Sequence, residues 1–220
     1  MAKNVFPQTM RTWIAGELGK GEPGRAAVNN HVMSVYLWPL QVYFLGTSYR
    51  SFGEPEDIVQ GFFADRLARP TFFDQWQESG LPLRRWLMNA FCFYLKEITP
   101  SGRKSTDVDR HDVAHDPAES KYLGAFVGEI VRTALREAHE ACELQGLHDH
   151  WAIFIAHHYQ DRPYESLEKE FGVTSARAAV MARTAARKFR DAVRDVLIRD
   201  GVGEESVDEE IRDLLEGAGT

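Results

Sequence analysis

The chain has 220 residues, of which 44% are hydrophobic and 27% charged, and its formal net charge is −7. These values are typical of a soluble globular protein with one or two domains. No apolar run approaches the length of a membrane span, and the N-terminal residues lack the order of a signal peptide, so we expect a cytoplasmic protein without membrane partners. Cys92 and Cys142 form neither a C-x-x-C motif nor a disulfide framework, which fits a reducing compartment.

The N-terminal part of the chain predicts a short helix and then a long one. Residues 1–24 contain a short helical stretch that a Gly- and Pro-containing segment interrupts, and we treat them as an N-terminal extension. Between residues 25 and 49 the apolar side chains recur with a helical period. Pro39 is expected to start a new helix or to kink this one.

Residues 54–67 predict an amphipathic helix. The segment opens with a turn and with acidic side chains, which favour a helix N-terminus. Its apolar residues recur at helical spacing and form one wide face, while the polar side carries Asp57, Gln60, Asp65 and Arg66. Taken alone, such a helix is most simply a core element. Any further role depends on the segments that follow it.

The next two segments combine aromatic and basic residues. Residues 68–82 are predicted to form a loop because of their Pro and Gly content, yet they carry Phe72, Phe73 and Trp76. Residues 83–98 again have a helical period with a buried face. The basic positions of this helix are Arg84, Arg85 and Lys96.

A polar segment then divides the chain. Residues 100–120 have almost no apolar residues and no period, so they predict a flexible linker and a domain boundary; Arg103 and Lys104 lie at its start. Helical spacing resumes at residues 122–144 and 150–159. No alternating strand pattern occurs anywhere in the sequence. The predicted fold class is therefore all-α, with two small helical domains.

The last third of the chain predicts a helix-turn-helix. Residues 164–171 form a short helix that Gly172 ends, and Thr174 or Ser175 can cap the long helix that follows, to about residue 199. In this arrangement the second helix enters the major groove by its N-terminal end. Four arginines follow one another at steps of four, three and four and form a basic stripe: Arg183, Arg187, Arg190 and Arg194.

The negative net charge hides a basic segment that lies next to an acidic one. Residues 174–199 carry seven basic side chains against two acidic ones, whereas residues 203–220 carry seven acidic side chains against one arginine. The acidic tail also has a small apolar face, formed by Val207, Ile211, Leu214 and Leu215. We therefore hypothesise that the tail folds onto the basic stripe and competes with DNA; the alternative is a solvated tail.

The order of these segments resembles the sigma-70 family of bacterial transcription initiation factors, in particular a divergent branch of the small two-domain extracytoplasmic-function (ECF) group. The similarity covers about residues 25–198 and is carried by EDIVQGFF (56–63), WLMNAF (86–91), YESLEKEFGVTS (164–175) and KFRDAV (188–193). The resemblance implies a sigma2-like domain at residues 25–99, a linker at residues 100–120, a sigma4-like helix-turn-helix domain at residues 121–200 and an acidic tail at residues 201–220.

The resemblance also implies a function and three groups of binding residues. The chain would bind core RNA polymerase and direct promoter recognition, with promoter DNA and an anti-sigma factor as further partners, without a cofactor and without catalysis of its own. The polymerase-binding group, which docks on the clamp coiled coil of the β′ subunit, is Asp57, Gln60, Phe63 and Arg66. The −10 group is Phe72, Phe73, Trp76, Arg84, Arg85, Lys96, Arg103 and Lys104. The −35 group is Ser175, Arg177, Arg183, Arg187 and Lys188.

Two points of the assignment have explicit alternatives. The rings of the −10 group would hold unstacked promoter bases, or they would fold back as a hydrophobic lid. The start of the recognition helix is rich in alanine, which favours contacts with phosphates over contacts with bases. The alternative function is a sigma-like protein that binds polymerase, or another regulator, without starting transcription.

A metal site is the remaining rival. His139 and Cys142 share a helix face and could bind zinc together with His148 or His150. His111 and His115 lie in the predicted linker, where nothing would hold a ligand geometry. Because a second cysteine or a paired motif is missing, we expect neither a metal nor an enzyme.

Overall fold

The structure, a computed structural model, describes residues 12–99 and 117–218, with side chains from residue 13 to residue 214 outside the gap. These residues form ten α-helices and one 3-10 helix, at Ser48–Ser51, and no strand, which confirms the predicted all-α class. The helices are α1 (Thr12–Leu18), α2 (Glu22–Gly46), α3 (Pro55–Leu67), α4 (Phe72–Ser79), α5 (Leu83–Ile98), α6 (Pro117–Leu144), α7 (His148–His158), α8 (Tyr164–Phe171), α9 (Ser175–Arg199) and α10 (Val207–Ala218).

The chain divides into two compact units. Residues up to Glu129 and from Leu197 onwards form the first unit, and Ile130–Val196 form the second, so each boundary falls within a helix, α6 or α9. Of the predicted linker, residues 117–120 begin α6, and residues 100–116 lie outside the described residues. The acidic tail belongs to the first unit.

Helix α2 supplies the centre of the first unit's core. It continues through Pro39, where we predicted a break or a kink. Proline removes one backbone hydrogen bond from the helix. Tyr36, Leu40 and Phe44, on both sides of Pro39, are fully buried, so packing on either side offsets the missing bond. Phe62 of α3 and Phe91 of α5 meet edge-to-face in the same core, with ring centroids 5.2 Å apart.

Glycine permits the close approach of α1 and α2. A Cβ atom at Gly24 would lie 1.7 Å from the carbonyl oxygen of Glu17, a distance that no side chain tolerates. Only a residue without a Cβ atom lets the two backbones meet here. Ile14 of α1 is thereby buried.

The segment predicted as an aromatic loop contains helix α4, so that prediction was wrong for residues 72–79. The proline and glycine that suggested a loop flank the helix: Pro70 precedes it, and Gly80 ends it in the left-handed conformation, with φ 71°. Arg25 of α2 holds the preceding turn, since its guanidinium donates hydrogen bonds to the carbonyl oxygens of Arg69 and Pro70 at 3.4 and 3.0 Å.

The second unit is built from the end of α6, α7, α8 and most of α9. Small residues let the helices approach closely: Ala134 and Ala138 of α6 pack with Ala192 of α9. Aromatic side chains fill the remaining space, among them Phe154 of α7, which packs with Ala185. The alanine content of α9 that was notable in the sequence therefore has a packing role in this unit.

Candidate nucleic-acid interface

The turn between α8 and α9 is closed by interactions at both helix ends. Gly172 ends α8 with φ 63° and ψ 30°, and the Val173 N–H donates to the Glu168 carbonyl oxygen at 3.2 Å. The Ser175 N–H donates to the Glu168 carboxylate at 2.6 Å, and the Arg177 N–H donates to Thr174 Oγ1 at 3.3 Å. A carboxylate from α8 thus caps the first turn of α9, where the helix dipole favours negative charge.

A small apolar cluster fixes the angle of the helix pair. Leu167 of α8 is fully buried against Ala178 and Ala182 of α9 and against Ile153 of α7. The ring of His157 stacks on Tyr164 with centroids 3.8 Å apart. These contacts hold the short helix α8 against the long helix α9 across the turn at Gly172.

The outer face of α9 is basic. Arg177, Arg183, Arg187 and Arg190 are exposed, and Val180 between them is 42% exposed. Ser175 and Lys188, the other members of the predicted −35 group, are half-buried. The Arg183 side chain also donates to the Ala179 carbonyl oxygen at 3.3 Å, which directs its stem along the helix. Arg183, Arg187 and Arg190 lie at helical steps of four and three, so one face of α9 presents guanidinium groups to solvent.

The predicted polymerase-binding residues separate into exposed and buried pairs. Asp57 and Gln60 are exposed on α3, and Gln60 Nε2 donates to Glu56 Oε1 at 3.0 Å. Phe63 and Arg66 are 3% and 5% exposed and belong to the interior of the first unit. The exposed part of α3 is therefore its acidic and amide-bearing edge, which does not include Phe63 or Arg66.

Arg66 has a structural partner inside the unit. Its Nη2 atom lies 2.6 Å from Glu97 Oε2, its Nη1 atom lies 3.1 Å from Asp65 Oδ2, and its guanidinium lies 5.8 Å from the centre of the Tyr94 ring. These contacts tie α3 to the end of α5. The sequence pattern placed Arg66 on the polar side of α3, but it could not indicate that α5 would cover it.

The aromatic side chains of the predicted −10 group are core residues. Phe72, Phe73 and Trp76 are at most 3% exposed, and Trp76 Nε1 donates to the Leu81 carbonyl oxygen at 2.9 Å. The structure thus corrects the expectation that these rings receive bases. Because they form the apolar face of α4, they are buried against their own unit, which is the lid alternative.

A different ring is available on α5. Phe93 is 62% exposed, and the Lys96 ammonium group lies 5.8 Å from the centre of its ring. Sequence analysis missed Phe93, although its position outside the apolar face of α5 was a usable signal. An exposed ring beside a lysine offers a stacking surface and a positive charge at one place, a combination that suits single-stranded nucleic acid.

The arginines at the start of α5 are paired with carboxylates of the first unit. Arg84 forms an ion pair with Glu210 of α10, and Arg85 forms one with Glu119 of α6. The side chain of Arg84 is only 20% exposed. Arg103 and Lys104 lie outside the described residues. The structure thus brings Arg84, Arg85 and Lys96 onto one helix, but it gives the two arginines intramolecular partners.

The candidate zinc ligands on α6 and α7 have other neighbours in the structure. Within residues 12–99 and 117–218, no group of three or more His, Cys, Asp or Glu side chains is arranged to hold a metal ion. His139 and His148 both lie near one oxygen of Glu143, at 3.4 and 2.8 Å, while Cys142 is buried with Phe154. His111 and His115 are outside the described residues.

Among the described helices, none has both the length and the apolarity that a membrane span requires. Comparisons of the chain with protein-family models, with curated proteins and with solved structures gave no match.

Proposed function

We propose that this chain is a promoter-recognition factor of the sigma type, which binds core RNA polymerase and directs it to promoters. The observation that carries the proposal is the basic face of α9, with Arg177, Arg183 and Arg187 exposed after a helix-turn-helix turn that Glu168 caps. A helix presented in this way fits the major groove, and its guanidinium groups bind phosphates or guanine edges.

The acidic edge of α3 supports the polymerase-binding part of the proposal. Glu56, Asp57 and Gln60 are exposed together, and they offer carboxylate and amide oxygens to a basic partner surface. A basic coiled coil, such as the one in the β′ clamp, has the complementary charge. Electrostatic complementarity of this kind accelerates association and selects the partner.

The test is co-elution of the full chain with bacterial core RNA polymerase on a sizing column. We expect the wild type to co-elute and the double variant Asp57→Ala, Gln60→Ala to lose binding. The double variant Asp74→Ala, Gln75→Ala is the matched control, since it removes the same groups from an exposed position on α4. Failure of the wild type to bind would contradict the proposal, and equal binding of all three would exclude the α3 edge as the docking site.

A second candidate is a sigma-like antagonist, which binds polymerase without starting transcription. The ion pairs that occupy Arg84 and Arg85 favour it, since they withdraw two cations from the predicted −10 surface. Transcription of genomic DNA by the reconstituted complex, followed by sequencing of RNA 5′ ends, separates the two. Defined start sites that depend on Arg183 and Arg187 indicate an initiator, whereas binding to polymerase without new start sites indicates an antagonist.

A further inference from the structure

The acidic C-terminal segment is a packed part of the first unit. Asp200, just after α9, is 2% exposed and accepts a hydrogen bond from the Tyr36 hydroxyl at 2.6 Å. Val202, Val207 and Leu214 are all less than 9% exposed. Val207 and Leu214, two members of the apolar face predicted for this segment, are therefore buried within the first unit.

Helix α10 lies beside the start of α5. Its Glu210 carboxylate pairs with Arg84, and both side chains are at most 20% exposed. A groove of about 250 Å³ next to this pair is lined by Arg84, Arg85 and Met88 of α5, by Tyr122 of α6 and by Asp213 and Leu214 of α10. The Tyr122 hydroxyl donates to the Arg84 carbonyl oxygen at 2.8 Å, which holds this part of α5 in place.

A phosphate and a carboxylate use the same atoms of an arginine. The guanidinium group binds either anion through its fork of N–H donors, so Arg84 cannot pair with Glu210 and with a nucleic-acid phosphate in the same geometry. Glu210 lies on the last helix of the chain, after Gly201 and Gly203. Movement of α10 would free Arg84 without breaking the buried Tyr36–Asp200 hydrogen bond.

We propose that α10 is an intramolecular competitor of nucleic acid: it occupies the anion-binding surface of α5 at Arg84, and a single strand that binds α5 displaces it. This inference rests on the proposed function, because it assumes that α5 receives the promoter strand. In the free chain only the fraction of molecules with α10 displaced binds through Arg84, so the apparent affinity is reduced by that fraction.

The first test measures hydrogen exchange of the α10 amides in the full chain. Glu210→Gln removes the ion pair and should accelerate exchange of these amides by about ten-fold. Glu209→Gln is the matched control, since it removes the same charge from an exposed neighbouring position and should change exchange by less than about two-fold. Equal exchange in the two variants would overturn the proposal, since Glu210 would then hold nothing in place.

The second test adds a fluorescein-labelled single-stranded DNA of about fifteen nucleotides at low salt. Binding should accelerate exchange of the α10 amides in the wild type, and Glu210→Gln should raise the affinity by about five-fold over Glu209→Gln. In an Arg84→Gln background the two glutamate variants should bind alike. Unchanged or slower exchange with bound DNA would overturn the competition and leave α10 as a structural helix.

A third measurement separates this inference from the proposed function. Binding of a promoter-length duplex reports on α9 and is tested with Arg183→Ala. If duplex binding depends on Arg183 while the single strand leaves α10 exchange unchanged, the competition fails and the proposed function stands. If neither nucleic acid binds any variant, both fail.

Discussion

Helices α5 and α9 both carry arginines, but the two sets have different surroundings. On α9, Arg183 and Arg187 are exposed on the outer face of the helix-turn-helix. On α5, Arg84 and Arg85 pair with Glu210 and Glu119, which lie far from them in the sequence. The sequence therefore predicts which helices carry basic side chains, but it does not predict whether another part of the chain has already neutralised them.

Aromatic residues of the first unit show the same contrast between covered and exposed side chains. Truncating the buried ring gives the largest expected change in the free energy of unfolding. Phe73 is 1% exposed and Phe93 is 62% exposed. Phe73→Ala should lower the free energy of unfolding by about 3–5 kcal/mol, because it empties a packed site. Phe93→Ala should change it by less than about 0.5 kcal/mol. Urea denaturation followed by circular dichroism measures both.

Phe93 and Phe73 should also differ in nucleic-acid binding. Phe93→Ala should weaken binding of a single strand by about five-fold or more, as expected for the loss of one stacking contact. Equal stability losses in the two variants would show that the exposed ring also belongs to the core, and the contrast between the two positions would disappear.

The two sets of arginines should respond to truncation in opposite ways. Arg183→Ala combined with Arg187→Ala should reduce duplex affinity by about ten-fold or more and lower the salt dependence, because fewer phosphates are neutralised. The stability of the second unit should stay within about 0.5 kcal/mol of the wild type. Fluorescence anisotropy over a range of salt concentrations measures the affinity.

Arg84→Ala should instead act mainly on stability. It leaves Glu210, whose side chain is 16% exposed, without its ion-pair partner, and this should cost about 1 kcal/mol or more. If Arg84→Ala lowers duplex affinity without lowering stability, Arg84 is a DNA-binding residue on an accessible surface of α5 and has no structural role.

Much of the fold could be predicted from the sequence, for identifiable reasons. The bounds of α5, α8 and α9 agree with their predicted ranges, because each has a continuous apolar stripe and a clear stop signal, such as Gly172 after α8. Helix α4 was not predicted because the Pro and Gly content of residues 68–82 is typical of a loop, whereas Pro70 precedes the helix and Gly80 ends it. Its apolar face is only visible once the segment is assumed to be helical.

The candidate site was less predictable, because its members depend on contacts between distant segments. Nothing near Arg66 in the sequence indicates Glu97 as its partner, and nothing near Arg84 indicates Glu210. Local patterns assign residues to faces, whereas the packing of α5 and α10 decides which faces remain accessible. Asp57, Gln60 and Arg183 were placed on the surface as expected because their helices have a single apolar face.

The turn before α9 offers a smaller test of how the helix-turn-helix is held. Glu168→Gln replaces a charge-assisted hydrogen bond to the Ser175 N–H with a neutral one, and it should lower the stability of the second unit by about 1 kcal/mol. Glu165→Gln, at an exposed position of the same helix, is the control. Urea denaturation monitored by circular dichroism compares the two variants. If both lose the same stability, the effect belongs to the charge of α8 and the capping contact has no special role.

A pH experiment tests whether the segment that covers Arg84 belongs to the core of the first unit. Burial lowers the pKa of His31 from 6.5 to about 4, and the charge of Arg199 adds a smaller lowering. Because the unfolded chain binds this proton more readily, His31 makes the folded unit less stable as the pH falls from 6.5 to 4. Burial raises the pKa of Asp200 from 3.8 to about 7, although its hydrogen bond from Tyr36 and the charge of Arg84 act in the opposite direction. Asp200 thus makes the folded unit less stable as the pH rises from 3.8 to 7.

The two groups therefore oppose each other between about pH 4 and pH 6.5, and the stability of the first unit should vary little there. Asp200→Asn keeps the acceptor for the Tyr36 hydroxyl and cannot ionise among Tyr36, Tyr122, Arg84 and Glu210, the groups that face it. The variant should be more stable than the wild type by about 4 kcal/mol at alkaline pH, since one pKa unit corresponds to about 1.4 kcal/mol, and this difference should vanish as the pH approaches 4. Urea midpoints across the range measure it. If the stability difference between the variant and the wild type does not depend on pH, Asp200 ionises as it does in water. The C-terminal segment would then be open to solvent, and Arg84 would be as accessible as the arginines of α9.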